Sequence, residues 1–386
     1  MKKIIVFLFC LLLLLSSFSF NKINIVSAEV DLVISAPSAC LIEPVSKRIL
    51  YEKNKDKKLY PASMTKMMGL SLVLEEIYKG NASFDDEVIA SSYASSMGGT
   101  QIYLEEGEKM RLEDLFKAVA INSANDAIVA LLEHLYGSRE GFLNKMNTKA
   151  KELGMNNTNF NNATGFDDEN HYTTSYDMAL LGSHLVSFKE DILKYTSLNE
   201  AYIRENSSSP FWLVNTNKLL KYYDGMDGLK TGYTSKAGYN LTATACRNGV
   251  RLISVVMNED SIASRSKDTT TLLNHGFSLL KCERLYNAND IIKCVKVTDY
   301  QDKESNIYVK DNVDVILYKK EDRKDLQINL YLDELTLPLI KDQKVGYIKI
   351  LSPSGYEFIY DVYIDDNVDN VSFIDIFLSY LKMFFS

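Results

Sequence analysis

The spacing of hydrophobic and polar positions changes several times along the chain. Short strand-like runs at Ala39–Val45 and Arg48–Glu52 come first. From residue 63 to about residue 190, apolar residues recur at steps of three and four, which predicts a helical region. Within it, helices are predicted at Leu112–Ile121 and Ala127–Tyr136. The turn between these helices, Asn122–Asn125, should present its side chains rather than bury them.

Strand spacing returns in the second half of the chain. Leu229–Thr234, Asn240–Cys246 and Val250–Asn258 are predicted strands, and Asn248-Gly249 joins the last two as a strong hairpin signal. Helical spacing resumes at Arg265–Phe277. Strands on both sides of a mostly helical segment predict one mixed α/β domain.

Beyond residue 283 the pattern differs again. Alternating runs such as Val313–Tyr318 and Val345–Leu351, without a long helix, predict a small all-β domain. Val371–Ser386 has the pattern of a helix with one narrow polar stripe. Its wide apolar face favours binding to a membrane surface, and packing in a dimer or on the core is the alternative. The predicted domains are residues 29–283, 284–365 and 366–386.

The first 28 residues have the pattern of an export signal. Lys2 and Lys3 precede an apolar run from Ile4 to Phe20, and small residues end the segment at Val26-Ser27-Ala28. An uncleaved membrane anchor is the alternative, but the apolar run is short for a span. Both interpretations place the rest of the chain outside the cytoplasm.

Composition and charge argue against several functions. The chain has 386 residues, 46% of them hydrophobic, and a formal net charge of -8 at pH 7, which does not suit nucleic-acid binding. Four cysteines beyond the signal are too few for a disulfide scaffold, although a bridge between Cys282 and Cys294 stays open. The four histidines lack metal-ligand spacing, so we expect neither a metal nor a cofactor.

The motif Ser63-Met64-Thr65-Lys66 is the first candidate for chemistry. The pattern S-x-x-K also occurs elsewhere by chance, but here Pro61 precedes an apolar helix, so Ser63 and Lys66 should share one face of its first turns. A serine hydroxyl needs a base to take its proton. A lysine can be that base when burial or a second cation lowers its pKa, and Lys230 is a candidate for the second cation.

The motif Lys230-Thr231-Gly232 occurs once, on a predicted strand. A cation and a hydroxyl there can hold a carboxylate, and glycine lets a substrate backbone approach the strand closely. If this motif stood alone, we would interpret it as a surface lysine beside a β-turn. In chain order after Ser63, Lys66 and the Ser123 turn, it predicts a serine acyl-transfer site.

These motifs resemble those of the penicillin-binding D-alanyl-D-alanine carboxypeptidases of low molecular mass, from about residue 31 to the C-terminus. Further matching stretches are Asp126-Ala127, Gly165–Asp167, His171–Thr174, Asn215–Leu219 and Lys236–Asn240. The resemblance implies a mixed α/β (α+β) fold: a β-lactamase/transpeptidase-like catalytic domain with an antiparallel sheet flanked by helices, a small all-β domain and a C-terminal amphipathic helix.

The same resemblance implies a function and its catalytic residues. The enzyme would remove the terminal D-alanine from peptidoglycan stem pentapeptides, would be acylated by β-lactams, and would work at the outer face of the cytoplasmic membrane or in the cell wall. Ser63 would be the acylated nucleophile and Lys66 its base. Ser123 would relay a proton to the departing D-alanine, and Asn125 would orient the substrate amide.

The resemblance also implies a set of substrate-binding residues. Lys230 and Thr231, followed on their strand by Gly232, would bind the terminal carboxylate, with Arg265 nearby. The backbone N–H of Tyr233 would join that of the nucleophile in an oxyanion hole.

Two positions depart from the family pattern, and other functions share its motifs. Ala124 stands where glycine is usual and Tyr233 where histidine is frequent, which should alter rate or specificity without removing a reacting group. A serine β-lactamase is the nearest alternative, but the E-x-x-L-N segment of class A enzymes is absent between Asn125 and Lys230. A catalytically silent peptidoglycan-binding protein and a transpeptidase are further alternatives.

Overall fold

The computed structural model describes residues 32–205, 207–297 and 304–370, together with 372–374, 376–377 and 380–381. The predicted export signal, residues 1–28, lies outside the described residues. Residues Ile34–Ser386 form one compact unit, in which an α/β part is followed along the chain by an all-β part.

In the described chain, most helices lie in the middle, between an early pair of strands and a series of later strands. Strands β1 to β16 are, in chain order, Ser38–Glu43, Arg48–Lys53, Glu87–Ile89, Lys109–Arg111, Glu200–Ile203, Phe211–Val214, Met226–Thr234, Gly238–Arg247, Val250–Glu259, Leu280–Tyr286, Ile291–Lys296, Glu304–Tyr308, Val313–Tyr318, Gln327–Leu332, Lys344–Leu351 and Glu357–Ile364. Helices α1 to α8 are Lys66–Tyr78, Ser92–Ser95, Leu112–Asn122, Asn125–Tyr136, Arg139–Glu152, Ser175–Val186, Glu190–Thr196 and Ile262–Leu279. Short 3-10 turns lie at Ala62–Thr65, Lys218–Lys221 and Arg323–Asp325.

An antiparallel five-stranded sheet in the order β2-β1-β9-β8-β7 organises the α/β part. The early strand β1 pairs with the late strand β9, so the strands on both sides of the helical segment close into one sheet, as predicted. Between β8 and β9, Asn248 and Gly249 have φ angles of 49° and 78°, the left-handed conformation that a type I′ hairpin turn requires.

Helices cover both faces of this sheet. Gly182 of α6 lies over Ile253, and Gly276 of α8 lies over Leu252. Because successive strand residues point to opposite faces, α6 and α8 lie on opposite sides. The predicted mixed α/β class with an antiparallel sheet flanked by helices is therefore confirmed.

The predicted helical region contains one hairpin that the spacing did not indicate. Strands β3 and β4 pair within it, with Val88 opposite Met110. Each has only three residues, which is too short for a period of two to be recognised in the sequence. The two helices predicted on either side of the Asn122–Asn125 turn are confirmed as α3 and α4.

Helix α1 is enclosed by its neighbours over two turns. All of its residues from Lys66 to Leu74 are buried, whereas an amphipathic surface helix would bury one face only. Gly69 allows α4 to approach closely, because a Cβ there would lie 2.5 Å from the Cδ1 of Ile128. The enclosure removes the amine of Lys66 from bulk water.

The all-β part has a five-stranded sheet, β11-β12-β16-β15-β14, and a separate pair of strands, β10-β13. It contacts the α/β part through Arg48 of β2. The guanidinium lies 3.7 Å from the ring centroid of Tyr356 and 4.8 Å from that of Tyr318, and its Nη2 donates to the carbonyl oxygen of Ile316 at 3.0 Å. The predicted small all-β domain is confirmed.

Two open questions of the sequence concern the last third of the chain. Cys282 and Cys294 are free thiols, with no bridge between them. Of the segment predicted as a C-terminal helix, the structure describes part, and there Phe373, Ile374 and Phe377 are exposed. Across the described ranges, no helix combines the length and the hydrophobicity that crossing a membrane requires.

Candidate active site

The Ser63 turn, Pro61–Thr65, is held between two glycines from distant parts of the chain. Ala62 has a φ of 48°, in the left-handed region that residues with a side chain rarely adopt. A Cβ on Gly165 would lie 1.9 Å from the carbonyl oxygen of Ala62. A Cβ on Gly232 would lie 2.6 Å from the carbonyl oxygen of Pro61. A loop and strand β7 therefore close directly on this turn and fix its strained backbone.

Ser63 and Lys66 meet, as their spacing predicted. The Nζ of Lys66 lies 2.9 Å from the Oγ of Ser63 and donates a second hydrogen bond to the carbonyl oxygen of Thr164 at 2.8 Å. The two groups that accept from this amine, a hydroxyl and a backbone carbonyl, carry no charge, and the lysine side chain is fully buried. The geometry is that of a hydroxyl beside an amine that can take its proton.

Burial and a second cation control the charge of this amine. Burial first, and the charge of Lys230 second, hold the pKa of Lys66 well below its usual value, while the carboxylate of Asp126 acts in the opposite direction. The Oδ2 of Asp126 also accepts hydrogen bonds from the backbone N–H groups of Ile102 and Leu104, at 3.0 and 3.1 Å. An uncharged lysine is able to act as a base.

The turn between α3 and α4 is buried, contrary to the prediction that it would present its side chains. Ser123 and Asn125 are only 4% and 5% exposed, because the two helices that they join belong to the core. Ser123 has a φ of 71°, and its buried Oγ has no hydrogen-bond partner within the described residues. Ala124 has an ordinary φ of -59°, so its methyl group causes no strain where the family usually has glycine.

Asn125 is connected to the Ser63 turn through neighbouring residues. Its Nδ2 donates to the carbonyl oxygen of Gly98 at 2.6 Å. A Cβ on Gly99 would lie 2.8 Å from that Nδ2 and 3.8 Å from the ring of Phe166, whose chain neighbour Gly165 packs on the Ser63 turn. The second predicted motif is thus linked to the Ser63 turn through Gly99 and the 165–166 segment, and Asp126, which follows it, acts on the pKa of Lys66.

Three buried basic side chains, Lys66, Lys230 and Arg265, lie together. Burial first, and the charge of Arg265 second, lower the pKa of Lys230 to about 7, and burial lowers the pKa of Arg265 to about 10. The Nε of Arg265 has no hydrogen-bond partner in the described part of the chain. The charge of Lys230 in turn lowers the pKa of Lys66. Because buried charges without counter-ions are costly, this arrangement suits an anionic ligand.

Strand β7 carries the third motif and the rim of the site. The Oγ1 of Thr231 lies 2.7 Å from that of Thr216. The sequence suggested that Gly232 leaves room for a substrate, but the Ser63 turn occupies the direction in which a Cβ would point. Tyr233 is 55% exposed, and its ring centroid lies 4.3 Å from that of Tyr239. Tyrosine in place of the frequent histidine therefore changes the exposed rim rather than the reacting groups.

The loop 161–166 was missed as a contributor to the site. Its Thr164 supplies the acceptor for Lys66, and the Oδ1 of Asn162 accepts hydrogen bonds from the backbone N–H groups of Thr164, Gly165 and Phe166. An asparagine three residues before a glycine was an available turn signal. The pairing of Thr164 with a lysine 98 positions away had no local signal. No cluster of three metal-ligating side chains occurs in the ranges that the structure covers.

Comparison with known proteins gives consistent results. Residues 24–261 match the family described as D-alanyl-D-alanine carboxypeptidase, and residues 281–369 match the C-terminal domain of penicillin-binding protein 5. D-alanyl-D-alanine carboxypeptidase DacF of Bacillus subtilis is 42% identical over 84% of this chain and 83% of its own length.

Two solved structures extend the comparison to the fold. Penicillin-binding protein 5 of Haemophilus influenzae has a TM-score of 0.67 at 29% identity, covering 88% of this chain and 98% of that one. Penicillin-binding protein D2 of Listeria monocytogenes in its ampicillin-bound form has a TM-score of 0.57 at 34% identity, covering 64% and 99%. The chain therefore belongs to the D-alanyl-D-alanine carboxypeptidase family of low-molecular-mass penicillin-binding proteins.

Proposed function

We propose that this protein is a serine-type D-alanyl-D-alanine carboxypeptidase that removes the terminal D-alanine from peptidoglycan stem pentapeptides. The observation that carries the proposal is the 2.9 Å contact between the Oγ of Ser63 and the buried Nζ of Lys66. Burial and the neighbouring Lys230 hold the pKa of this amine well below its usual value, so it can accept the hydroxyl proton.

The proposed reaction has two steps. Lys66 takes the proton of Ser63, whose oxygen attacks the carbonyl carbon between the two D-alanines, and the backbone N–H groups of Ser63 and Tyr233 bind the developing oxyanion. The C–N bond breaks while Ser123 passes its proton to the departing amine and takes the proton held by Lys66, so that the lysine is neutral again. The buried Ser123 hydroxyl has no other partner among the described residues, which supports this role. The same lysine then takes a proton from water, whose oxygen bonds to the acyl carbon. The bond to the Oγ of Ser63 breaks, and the lysine returns the proton to that Oγ.

Substrate binding is assigned to the part of the site that contains Lys230, Thr231 and Arg265. Lys230 and Arg265 supply charge for the terminal carboxylate, and the hydroxyl of Thr231 supplies a hydrogen bond. Asn125 donates from its Nδ2 to a backbone carbonyl, which leaves its Oδ1 as the acceptor for a substrate N–H. A free carboxyl terminus is the feature that this set of residues selects.

The proposal is tested by exposing the purified protein to a penicillin and measuring its mass. We expect a stable adduct on Ser63 and none on the Ser63→Ala variant, together with D-alanine release from a stem pentapeptide by the wild type only. Rapid turnover of the penicillin would support a β-lactamase instead. An unmodified wild-type protein would support the catalytically silent binder, and transfer of the acyl group to an added amine in preference to water would support a transpeptidase.

We further propose that residues 1–28 direct export and that residues 366–386 bind the outer face of the cytoplasmic membrane. The exposed side chains of Phe373, Ile374 and Phe377 support the second assignment, because a row of apolar side chains suits burial in a bilayer surface. Removing residues 371–386 should abolish co-sedimentation with lipid vesicles. A truncated protein that still sediments with vesicles would contradict the assignment.

A further inference from the structure

His171 joins the Ser63 turn to the loop that holds Lys66. The imidazole is fully buried, and its Nε2 lies 2.8 Å from the Oγ1 of Thr65. Thr65 belongs to the Ser63 turn and precedes Lys66, but it has no role of its own in the proposed reaction. Its Nδ1 accepts the backbone N–H of Asn161 at 3.0 Å. The loop 161–166 begins at that N–H, so a single ring is bonded to both segments.

The two hydrogen bonds determine the protonation of the ring. An N–H of the backbone can only donate, so Nδ1 must carry a lone pair and the ring proton must lie on Nε2, where it is donated to Thr65. Burial lowers the pKa of His171 to about 4, against the opposing effect of Asp168, which is consistent with a neutral ring. The edge of the ring also packs on Phe160, with centroids 5.9 Å apart. The side chain is therefore fixed in one orientation.

The loop that His171 holds carries the acceptor for the catalytic amine. Three residues beyond Asn161, the carbonyl oxygen of Thr164 accepts from the Nζ of Lys66 at 2.8 Å. The Nζ is thus positioned by two contacts, the Oγ of Ser63 on the turn and the carbonyl of Thr164 on the loop. A shift of the loop relative to the turn would change the distance or direction of one of them.

We propose that His171 is a positioning residue for acylation: by donating to Thr65 and accepting from Asn161, it sets the separation of the Ser63 turn from the loop that aligns Lys66. This inference rests on the proposed function of Ser63 and Lys66. His171 contacts neither reacting atom, so its removal should slow the acylation step without weakening the binding that precedes it.

The test measures acylation of the full chain by a fluorescent penicillin in single-turnover experiments, which separate the rate constant at saturation from the half-saturating concentration. His171→Leu should lower the rate constant about ten- to a hundred-fold, the range expected for a small misplacement of a catalytic group, with the half-saturating concentration unchanged. His171→Gln, which offers an N–H donor and a carbonyl acceptor on neighbouring atoms, should recover most of the rate.

Thr65→Val provides a second test, because it removes the acceptor at nearly constant volume. It should slow acylation as His171→Leu does, and the double variant should be little slower than either single one. His184→Leu is the matched control: this imidazole bonds to Glu75 at 2.9 Å, outside the site, and its loss should leave the acylation rate unchanged. If His171→Leu does not fold, the glutamine and valine variants still carry the comparison.

The outcomes separate this inference from the proposed function. A wild-type protein that forms no penicillin adduct would overturn the function and the inference together. A wild type that is acylated, with His171→Leu acylated at the same rate, would overturn the inference alone. The inference would also be overturned if His171→Gln were as slow as His171→Leu, because shape rather than hydrogen bonding would then be what the site requires.

Discussion

Two arginines are buried in this protein without an ion-pair partner among the described residues, and their surroundings differ. Arg48 lies between the α/β and all-β parts, where a carbonyl oxygen accepts from it and the rings of Tyr318 and Tyr356 cover its planar group. Arg265 has a second cation, Lys230, as its neighbour. Each guanidinium has nitrogens without a hydrogen-bond partner among the described residues, Nε and Nη1 in Arg48 and Nε in Arg265, so the neighbouring group is what distinguishes them.

The difference shows how a structural buried charge can be told from a functional one. A guanidinium against aromatic faces is stabilised by about 0.5–2 kcal/mol per ring, so Arg48 contributes to the contact that holds it. A second cation beside Arg265 destabilises it instead. Such an arrangement can persist where a bound ligand supplies the anion that the two cations lack. Buried ionisable groups with perturbed pKa values are typical of functional sites.

The largest expected effect that tests this comparison is on stability. Arg48→Ala should lower the free energy of unfolding by about 3 kcal/mol, because two cation–π contacts and one buried hydrogen bond are lost. Thermal unfolding would measure it, and acylation at Ser63 should be unaffected. Lys310→Ala is the matched control, since this exposed amine lies 4.1 Å from one ring, Tyr363, and should matter much less. An Arg48→Ala variant that melts like the wild type would contradict the structural role.

Arg265→Ala should show the opposite pattern. We expect the KM for a D-alanyl-D-alanine peptide to rise about ten- to a hundred-fold, roughly 1.4–2.7 kcal/mol, because one charge for the carboxylate is lost. The melting temperature should stay the same or rise, because an unpaired buried charge is removed. Lys267→Ala on the same helix, with an exposed side chain, should change neither. A large loss of stability without a change in KM would show Arg265 to be structural.

The smallest expected effect is a pH dependence. With a pKa of about 7, Lys230 loses its charge as the pH rises through neutrality, and a bound carboxylate favours the charged form, so binding is accompanied by proton uptake. The KM should therefore rise about three- to tenfold between pH 6 and pH 8.5. Lys230→Arg keeps its charge over this range and should flatten the profile. A wild-type KM that does not change with pH would contradict the assignment.

Local patterns were sufficient for the elements and for the reacting pair. Helical spacing placed Ser63 next to Lys66, and the Asn248-Gly249 dipeptide located the β8–β9 hairpin, because both depend on neighbours in the sequence. The acceptor from Thr164 and the stacking of Arg48 on Tyr356 join distant segments, so no local signal reports them. The strands β3 and β4 were missed because three residues are too few to show a period of two. The burial of the turn at Ser123 was missed because tertiary packing decides it.

The contact of two glycines with the Ser63 turn has an evolutionary consequence. The atoms that face Gly165 and Gly232 most closely are backbone carbonyl oxygens, so any larger amino acid at either position would displace the turn itself. An enzyme acylated at Ser63 could not escape a covalent inhibitor by reshaping that surface without losing its own turnover. Resistance would have to arise at the exposed rim, at Phe166 or Tyr233, where side chains can vary while the main chain stays in place.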